Sequence, residues 1–168
     1  MGVDKATLEV NGVAMAERVC TAMEQAGATE VVTVGGPSRD LRWRHVVDRY
    51  PGEGPLGGII TALSSLPAGL VLVAACDLAW VTASVFRALL AGLGDADVAI
   101  AHSGRPEPLC ALWVSPRCLE PLEHAFAAGE RAVHRGLGAL VIESIAVEPR
   151  WLRNVNTPAD LGDDGEPN

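Results

Sequence analysis

Apolar positions along the chain follow two spacings, one typical of helices and the other of buried strands. A stripe of apolar residues three or four apart covers residues 13–26 and stops at Gly27. The run Leu70–Ala75 (LVLVAA) is continuously apolar, which is typical of a strand covered on both faces. The same reasoning predicts strands at 30–34, 45–48, 97–101, 109–114 and 143–147, and helices at 59–66, 82–93, 116–128, 133–140 and from 158 onward.

Strands separated by helices of about 8 to 15 residues indicate βαβ units. We therefore expect an α/β fold of three layers, with a mostly parallel sheet and helices on both faces. One domain is expected over residues 1–161, and the short acidic segment 162–168 (GDDGEPN) is expected to be a disordered tail. In such folds ligands bind beyond the carboxyl ends of the strands.

Composition narrows the class of protein. The 168 residues carry 13 Lys and Arg against 21 Asp and Glu, a formal net charge of −8, which argues against a nucleic-acid or membrane-surface binder. An apolar content of 49% excludes a disordered chain, and the apolar runs are shorter than the roughly 20 residues of a membrane helix. The four cysteines lack metal or redox spacing, which predicts reduced, mostly buried thiols in a cytoplasmic protein.

Two segments directly after predicted strands are candidate binding sites. Asp77 ends the apolar strand at the expected ligand crevice, where a carboxylate can hold a divalent cation beside a phosphate; an ordinary helix cap or surface acid is the alternative. The segment Gly54-Pro55-Leu56-Gly57-Gly58 allows close backbone approach to a ligand at a helix N-terminus, or is simply a tight turn.

Three further segments are candidates from residue type. Asn154 and Asn156 (in NVNTP) offer neutral amides that can orient a phosphate or a metal-bound water, although Asx-turn chemistry explains them as well. Lys5 can neutralise phosphates as a point charge. Arg105 can bind an anion, but a loop arginine between prolines is commonly just solvated.

Taken in order, these segments resemble the molybdenum cofactor guanylyltransferase family, in the wider MobA-like nucleotidyltransferase group. The matches cover almost the whole chain and are specific through their order and spacing. MGVDK at the start resembles the end of the family's LAGGxSxRMGxDK signature, and NVNTP resembles its closing motif. Between them lie Asp48 with GPLGG, Cys76-Asp77, PEPLCALW at 106–113 and Gly129-Glu130-Arg131.

The resemblance implies an Mg²⁺-dependent enzyme that joins GMP from GTP to molybdopterin and releases pyrophosphate. Lys5 would neutralise the nucleotide phosphates, and Asp77 would hold Mg²⁺ against the α-phosphate. Asp48 and the GPLGG loop would help to bind guanine and ribose. Asn154 and Asn156 would position molybdopterin, and Arg105 would also lie on the molybdopterin side. Molybdoenzymes or other cofactor-assembly proteins are the implied protein partners.

The chain departs from the family where it begins. The LAGG loop, the signature Arg and the first, central strand of the family's sheet have no counterpart, so we expect two facing sheet edges without a partner, and a tendency to aggregate. Because Met1 falls on a motif position, we expect the natural protein to be longer. Gly35-Gly36 also stands where the family commonly has a polar residue, so a base contact there is not implied.

Two alternatives remain open. The first is a cytidylyltransferase for the same cofactor, which competition between GTP and CTP would distinguish. The second is a non-catalytic remnant that binds molybdopterin or a partner protein through Asp77 and the NVNTP segment without binding GTP.

Overall fold

Eight strands and five helices make up the described part of the chain. The computed structural model describes residues 9–10, 12–38 and 40–155. In chain order the elements are β1 (Glu9–Val10), β2 (Val13–Ala14), α1 (Met15–Gln25), β3 (Val32–Val34), β4 (Arg44–Val46), α2 (Pro55–Ser65), β5 (Leu70–Ala74), α3 (Ala83–Gly92), β6 (Val98–His102), β7 (Pro106–Val114), α4 (Ser115–Ala127), α5 (Val133–Gly136) and β8 (Ile142–Ala146), with 3-10 turns at Leu137–Ala139 and Pro149–Leu152. None of the described helices is long and apolar enough to cross a bilayer.

The predicted three-layer arrangement is confirmed. Strand residues alternate between two cores: Ala99 and Leu112 pack against α1 and α3, whereas Ile100 and Trp113 pack against α2, α4 and α5. The continuous apolar stretches in β6 and β7 follow from this, because both faces of each strand are covered by helices. The α/β class follows from the same alternation.

The main sheet is mixed, with strand order β5-β7-β6-β8. Strands β5, β6 and β8 run in one direction, and β7 runs antiparallel to both of its neighbours. The prediction of a mostly parallel sheet did not include this antiparallel strand. Only three residues, 103–105, join β6 to β7, which is enough for a hairpin but far short of the dozen or so that a parallel crossover needs.

Several element boundaries differ from the predicted ones. The helix expected at 59 begins at Pro55, because proline suits the first helical turn. The strand expected at 109 begins at Pro106, next to a shift in register on β6. The helix expected over 133–140 is the short α5 followed by a 3-10 turn. The helix expected from 158 and the tail at 162–168 lie outside the described residues.

Strands β3 and β4 form a separate parallel pair, and within the described residues no strand pairs with the second edge of β3 or of β5. A cavity of about 820 Å³ separates β3 from β5 along the whole length of both strands. Helix α1 contributes one wall, through residues such as Val19, and α2 contributes another, through residues such as Ile59. We call this cavity the slot. The expectation of two sheet edges without a strand between them is confirmed.

The hydrogen bonds of β3 and β5 show which backbone groups face the slot. The N–H of Ala75 donates to Leu109 in β7 at 2.8 Å. Because successive N–H groups alternate between the two edges of a strand, those of Val71 and Val73 also point to β7, and those of Leu72 and Ala74 point into the slot.

Strand β3 has the same arrangement on the opposite side. The N–H of Gly35 donates to Val46 at 3.0 Å, so the amides of Val32 and Val34 point away from β4. Both edges therefore offer donors and acceptors to the slot, and one extended strand laid between them would satisfy both.

Amide hydrogen exchange tests this assignment with an internal control. In the 168-residue chain we expect the amides of Leu72 and Ala74 to exchange with solvent much faster than those of Val71 and Val73, which are bonded to β7. Residue-resolved exchange followed by NMR measures all four in one sample. Equal protection of the two sets would show that the inner edge of β5 is already paired.

Candidate functional site

Loops from three strands meet at one end of the slot. Gly35 follows β3, Asp48 follows β4 and Asp77 follows β5, and all three line the cavity together with Pro55 at the start of α2. A Cβ placed on Gly35 would lie 3.5 Å from the Asp48 Cβ, so these two loops are in contact. The structure therefore brings together three of the segments that the sequence singled out.

Asp48 is anchored by the helix that follows it. Its Oδ1 accepts a hydrogen bond from the Tyr50 N–H at 3.0 Å and lies 3.0 Å from the hydroxyl of Thr61. That fully buried hydroxyl also lies 2.9 Å from the Gly57 carbonyl oxygen and accepts the Arg49 N–H at 3.1 Å. Thr61 was not singled out from the sequence, although a polar residue on the apolar face of a helix is the signal that could have identified it.

The GPLGG segment divides between the cavity and the core. Gly54 has a φ of +88° and precedes the first helical turn, and Pro55 and Gly58 line the cavity. Leu56 is completely buried among core residues, so any ligand contact at this position falls to its backbone. Gly57 faces the core as well, because a Cβ there would lie 2.8 Å from the Tyr50 Cβ.

The segment after α4 holds the GPLGG loop in place. Arg131 donates through Nε to Glu53 at 2.6 Å, and its carbonyl oxygen lies 3.5 Å from the position of a Cβ on Gly54. Glu130 accepts hydrogen bonds from the Arg131 and Ala132 N–H groups at 2.7 and 2.8 Å. Glu130 also accepts from Arg135 through Nε at 2.6 Å and Nη2 at 2.9 Å.

These hydrogen bonds, with that from Arg135 the strongest, hold the pKa of Glu130 at about 2, below its ordinary 4.5. The sequence motif Gly129-Glu130-Arg131 thus has a structural role: it holds the segment after α4 against the GPLGG loop.

Asp77 lies half-buried where β5 ends. Its Oδ1 is buried and has no hydrogen-bond partner among the described residues. Its backbone oxygen accepts the Val155 N–H at 2.9 Å, which places the exposed Asn154 beside the β5 loop. Asp77 also lines the cavity, and a buried carboxylate oxygen without a partner is an unsatisfied ligand position that suits a hard cation.

The other predicted site residues are separated from this cluster or lie outside the description. Arg105 is exposed in the β6–β7 hairpin, at the same end of the sheet as Asp77, and it does not line the cavity. Lys5 and Asn156 lie outside the described residues.

Three of the four cysteine side chains are buried and one is exposed. Burial raises the pKa of Cys20 and Cys118 to about 11 and that of Cys110 to about 12. Cys76, next to Asp77, is exposed and lines the cavity; the other three thiols are buried, which confirms the expectation of mostly buried thiols.

Comparison with known proteins agrees with this architecture. Residues 1–143 match the MobA-like NTP transferase domain family. A probable molybdenum cofactor guanylyltransferase of Chloroflexus aggregans is 33% identical over 95% of this chain and 85% of its own length. A molybdenum cofactor guanylyltransferase of Shewanella baltica is 28% identical over 94% and 84%.

Solved structures show the same fold. Molybdopterin-guanine dinucleotide biosynthesis protein A from Archaeoglobus fulgidus superposes with a TM-score of 0.75 at 26% identity, over 95% of this chain and 88% of that one. The 2-C-methyl-D-erythritol 4-phosphate cytidylyltransferase of Thermus thermophilus gives 0.73 at 18% identity, over 94% and 90%. At that identity the second likeness concerns the fold alone.

Substitutions at the two adjacent glycines of α2 test the packing of the loop. Gly57→Ala should lower the free energy of unfolding by about 1–3 kcal/mol, because the added methyl overlaps Tyr50. Gly58→Ala is the matched control, since a Cβ there meets no atom within 4 Å; it should stabilise the helix by about 0.5–1 kcal/mol. Urea unfolding measures both, and equal effects would contradict the assignment of the two faces.

The depressed pKa of Glu130 predicts a pH dependence. Because the carboxylate is favoured in the folded state, its stabilisation is complete above its ordinary pKa of 4.5 and is lost as pH falls towards 2. Urea unfolding of the wild type and Glu130→Gln should therefore show a difference at pH 7 that shrinks between pH 4.5 and 2. A difference that stays constant over this range would rule out the role given to Glu130.

Proposed function

The chain belongs to the MobA-like NTP transferase family of nucleotidyltransferases, and from this we propose that it transfers GMP from GTP to molybdopterin. The products are the guanine dinucleotide form of the molybdenum cofactor and pyrophosphate. The observation that carries the proposal is the meeting of Asp77, Asp48 and the start of α2 at one end of the slot. The names of the relatives and the order of the motifs support guanine and molybdopterin as the substrates.

The nucleotide lies, in this proposal, across the loops that follow β4 and β5. The N-terminal turn of α2 presents backbone N–H groups to it, and the glycine at 54 lets the backbone approach closely. Asp48, with Oδ1 already bonded to Tyr50 and Thr61, is held rigidly enough to orient a ribose or a base edge. Lys5, which lies outside the described residues, is assigned to the nucleotide phosphates on the resemblance alone.

Asp77 would hold Mg²⁺, and its orphaned Oδ1 fits a cation that prefers oxygen ligands. The described residues contain no group of three or more His, Cys, Asp or Glu side chains able to hold a metal. Mg²⁺ is commonly bound by one or two carboxylates together with substrate phosphates. When bound, the ion would neutralise negative charge on the reacting phosphates.

The reaction asks for positioning more than for proton transfer. A terminal phosphate oxygen of molybdopterin attacks the α-phosphorus of GTP and forms a new P–O bond. The bond between that phosphorus and the oxygen leading to the β-phosphate breaks, and pyrophosphate leaves with the electron pair. The attacking oxygen is already anionic, so the site needs no general base. Asn154, and Asn156 beyond the described residues, would orient molybdopterin beside Asp77.

The proposed function also implies a cellular location and protein partners. We assign it to the cytoplasm, and molybdoenzymes or other cofactor-assembly proteins would receive the product. Cytidylyl transfer to molybdopterin and binding without catalysis are the competing outcomes of the experiments.

Replacing the orphaned carboxylate tests the proposed role of Asp77. Asp77→Asn should lower kcat/KM for guanine dinucleotide formation on the order of 100-fold, because a neutral amide holds Mg²⁺ more weakly and the reacting phosphates lose the charge that neutralises them. Asp95→Asn is the matched control, an exposed aspartate in the loop between α3 and β6. Loss of activity in both variants, or in neither, would contradict the assignment.

A further inference from the structure

The indole of Trp80 lies close to two arginines, three residues after Asp77. Trp80 is only 4% exposed. The Cζ atoms of Arg18 and Arg153 lie 5.5 and 5.8 Å from its ring centroid, both within the range of a cation–π interaction. Arg18 reaches the ring from α1 and donates through Nε to the Ala79 carbonyl oxygen at 3.0 Å. Positive charge from two distant parts of the chain is therefore gathered on one buried aromatic ring.

Arg153 differs from most arginines of the described residues in its charge environment. Its side chain is exposed, and no carboxylate within the described residues pairs with it. Arg87 and Arg105 likewise have no carboxylate partner among the described residues, so what distinguishes Arg153 is its contact with Trp80. Carboxylates of the described residues pair with Arg42, Arg44, Arg49, Arg117, Arg131, Arg135 and Arg150.

The backbone connects this arginine to the proposed reaction centre. Two residues after Arg153, the N–H of Val155 donates to the Asp77 carbonyl oxygen at 2.9 Å. The GPLGG loop approaches the slot from the other side, where it is held by Arg131. Asp77 thus lies between the loop assigned to the nucleotide and the segment that carries Arg153.

We propose that Arg153, stacked on Trp80, binds the terminal phosphate monoester of the acceptor substrate. This inference rests on the proposed function, and it adds to that function a binding residue that neither the motifs nor the resemblance indicates. A phosphate monoester suits the position because a guanidinium can bind two of its oxygens at once.

The stacking arrangement explains why an exposed arginine can be specific. The ring of Trp80 is buried and rigid, so it restricts the guanidinium that lies against it and reduces the entropy lost on binding. Arg18 lies against the same ring and is fixed there by its hydrogen bond to the Ala79 carbonyl oxygen. Asp77 lies three residues before Trp80 in the sequence. A phosphate bound by Arg153 would therefore also lie near the Mg²⁺ proposed at Asp77.

Variants at position 153 test the proposal through the two Michaelis constants. Arg153→Gln should raise KM for molybdopterin about tenfold, the loss expected for a hydrogen bond to a charged group, and leave KM for GTP unchanged. Arg153→Lys keeps the positive charge but lacks the planar guanidinium, so its KM for molybdopterin should lie between those of the wild type and Arg153→Gln. Arg150→Gln is the matched control from the same segment, an arginine that pairs with Glu148 and stacks on Trp151. Equal changes for GTP and molybdopterin, or no change, would overturn the proposal.

A binding measurement separates this inference from the proposed function. Titration with inorganic phosphate should show weaker binding to Arg153→Gln than to the wild type and to Arg150→Gln, whether or not the wild type forms guanine dinucleotide. If the wild type is inactive but phosphate binding still depends on Arg153, the reaction is wrong and the anion site stands. If phosphate binds all three equally, the site is wrong.

The acidic end of the chain offers the competing explanation for Arg153. Asp163, Asp164 and Glu166 are carboxylates that an arginine could pair with. A full-length variant with the three carboxylates neutralised (D163N, D164N and E166Q) distinguishes the two: under our proposal it binds phosphate at least as well as the wild type, and Arg153→Gln weakens that binding to the same extent. If Arg153→Gln no longer affects phosphate binding in this variant, the effect belongs to the tail and the proposal fails.

Discussion

The separation of β3 from β5 is the constraint on which the candidate site depends. Helices α1 and α2 hold the two strands apart, and the slot between them ends where Gly35, Asp48, Asp77 and the N-terminus of α2 meet. Backbone groups on both edges face this space without a strand partner in the described residues. Hydrogen-bonding capacity on two sides and apolar walls on the other two are the surroundings of a central strand in an α/β sheet. The geometry of the loops at this end of the slot is therefore tied to whatever fills the slot.

Charge is distributed so that an acidic protein can still receive anions. Most described arginines are used to join segments: Arg131 connects α4 to the loop before α2, and Arg135 completes the hydrogen bonds around Glu130. The arginines on Trp80 are placed differently, against an aromatic ring and beside the loop of Asp77. The net charge thus argues against a broadly basic surface and is compatible with the local anion site proposed at Arg153.

Local patterns predicted much of the fold and part of the site. The apolar run of β5 predicted a buried strand, and the acid directly after it predicted a carboxylate at the ligand edge; both follow from short-range rules. The reversal of β7 was also present in the sequence, as a three-residue connection after His102, but strand periodicity does not report direction. Pro55 could likewise have indicated the earlier start of α2.

The remaining features depend on residues far apart in the sequence. The packing of α2 against Tyr50 decides which residues of the GPLGG loop face the core and which face the slot. Leu56 and Gly57 face the core, and Pro55 and Gly58 face the slot. The stacking of Arg153 on Trp80 joins residues 73 positions apart, counted from their numbers, and no motif marks it. Which cysteine is exposed, Cys76, is decided in the same way by its place at the slot.

The identity of the transferred nucleotide is the central claim. Its most direct measurement is a competition in which the folded protein, Mg²⁺ and molybdopterin are incubated with equal concentrations of GTP and CTP, and the dinucleotide products are identified by mass. The account predicts the guanine dinucleotide and pyrophosphate, with little cytosine product. A predominance of the cytosine dinucleotide, or no dinucleotide from protein that is folded, would contradict it.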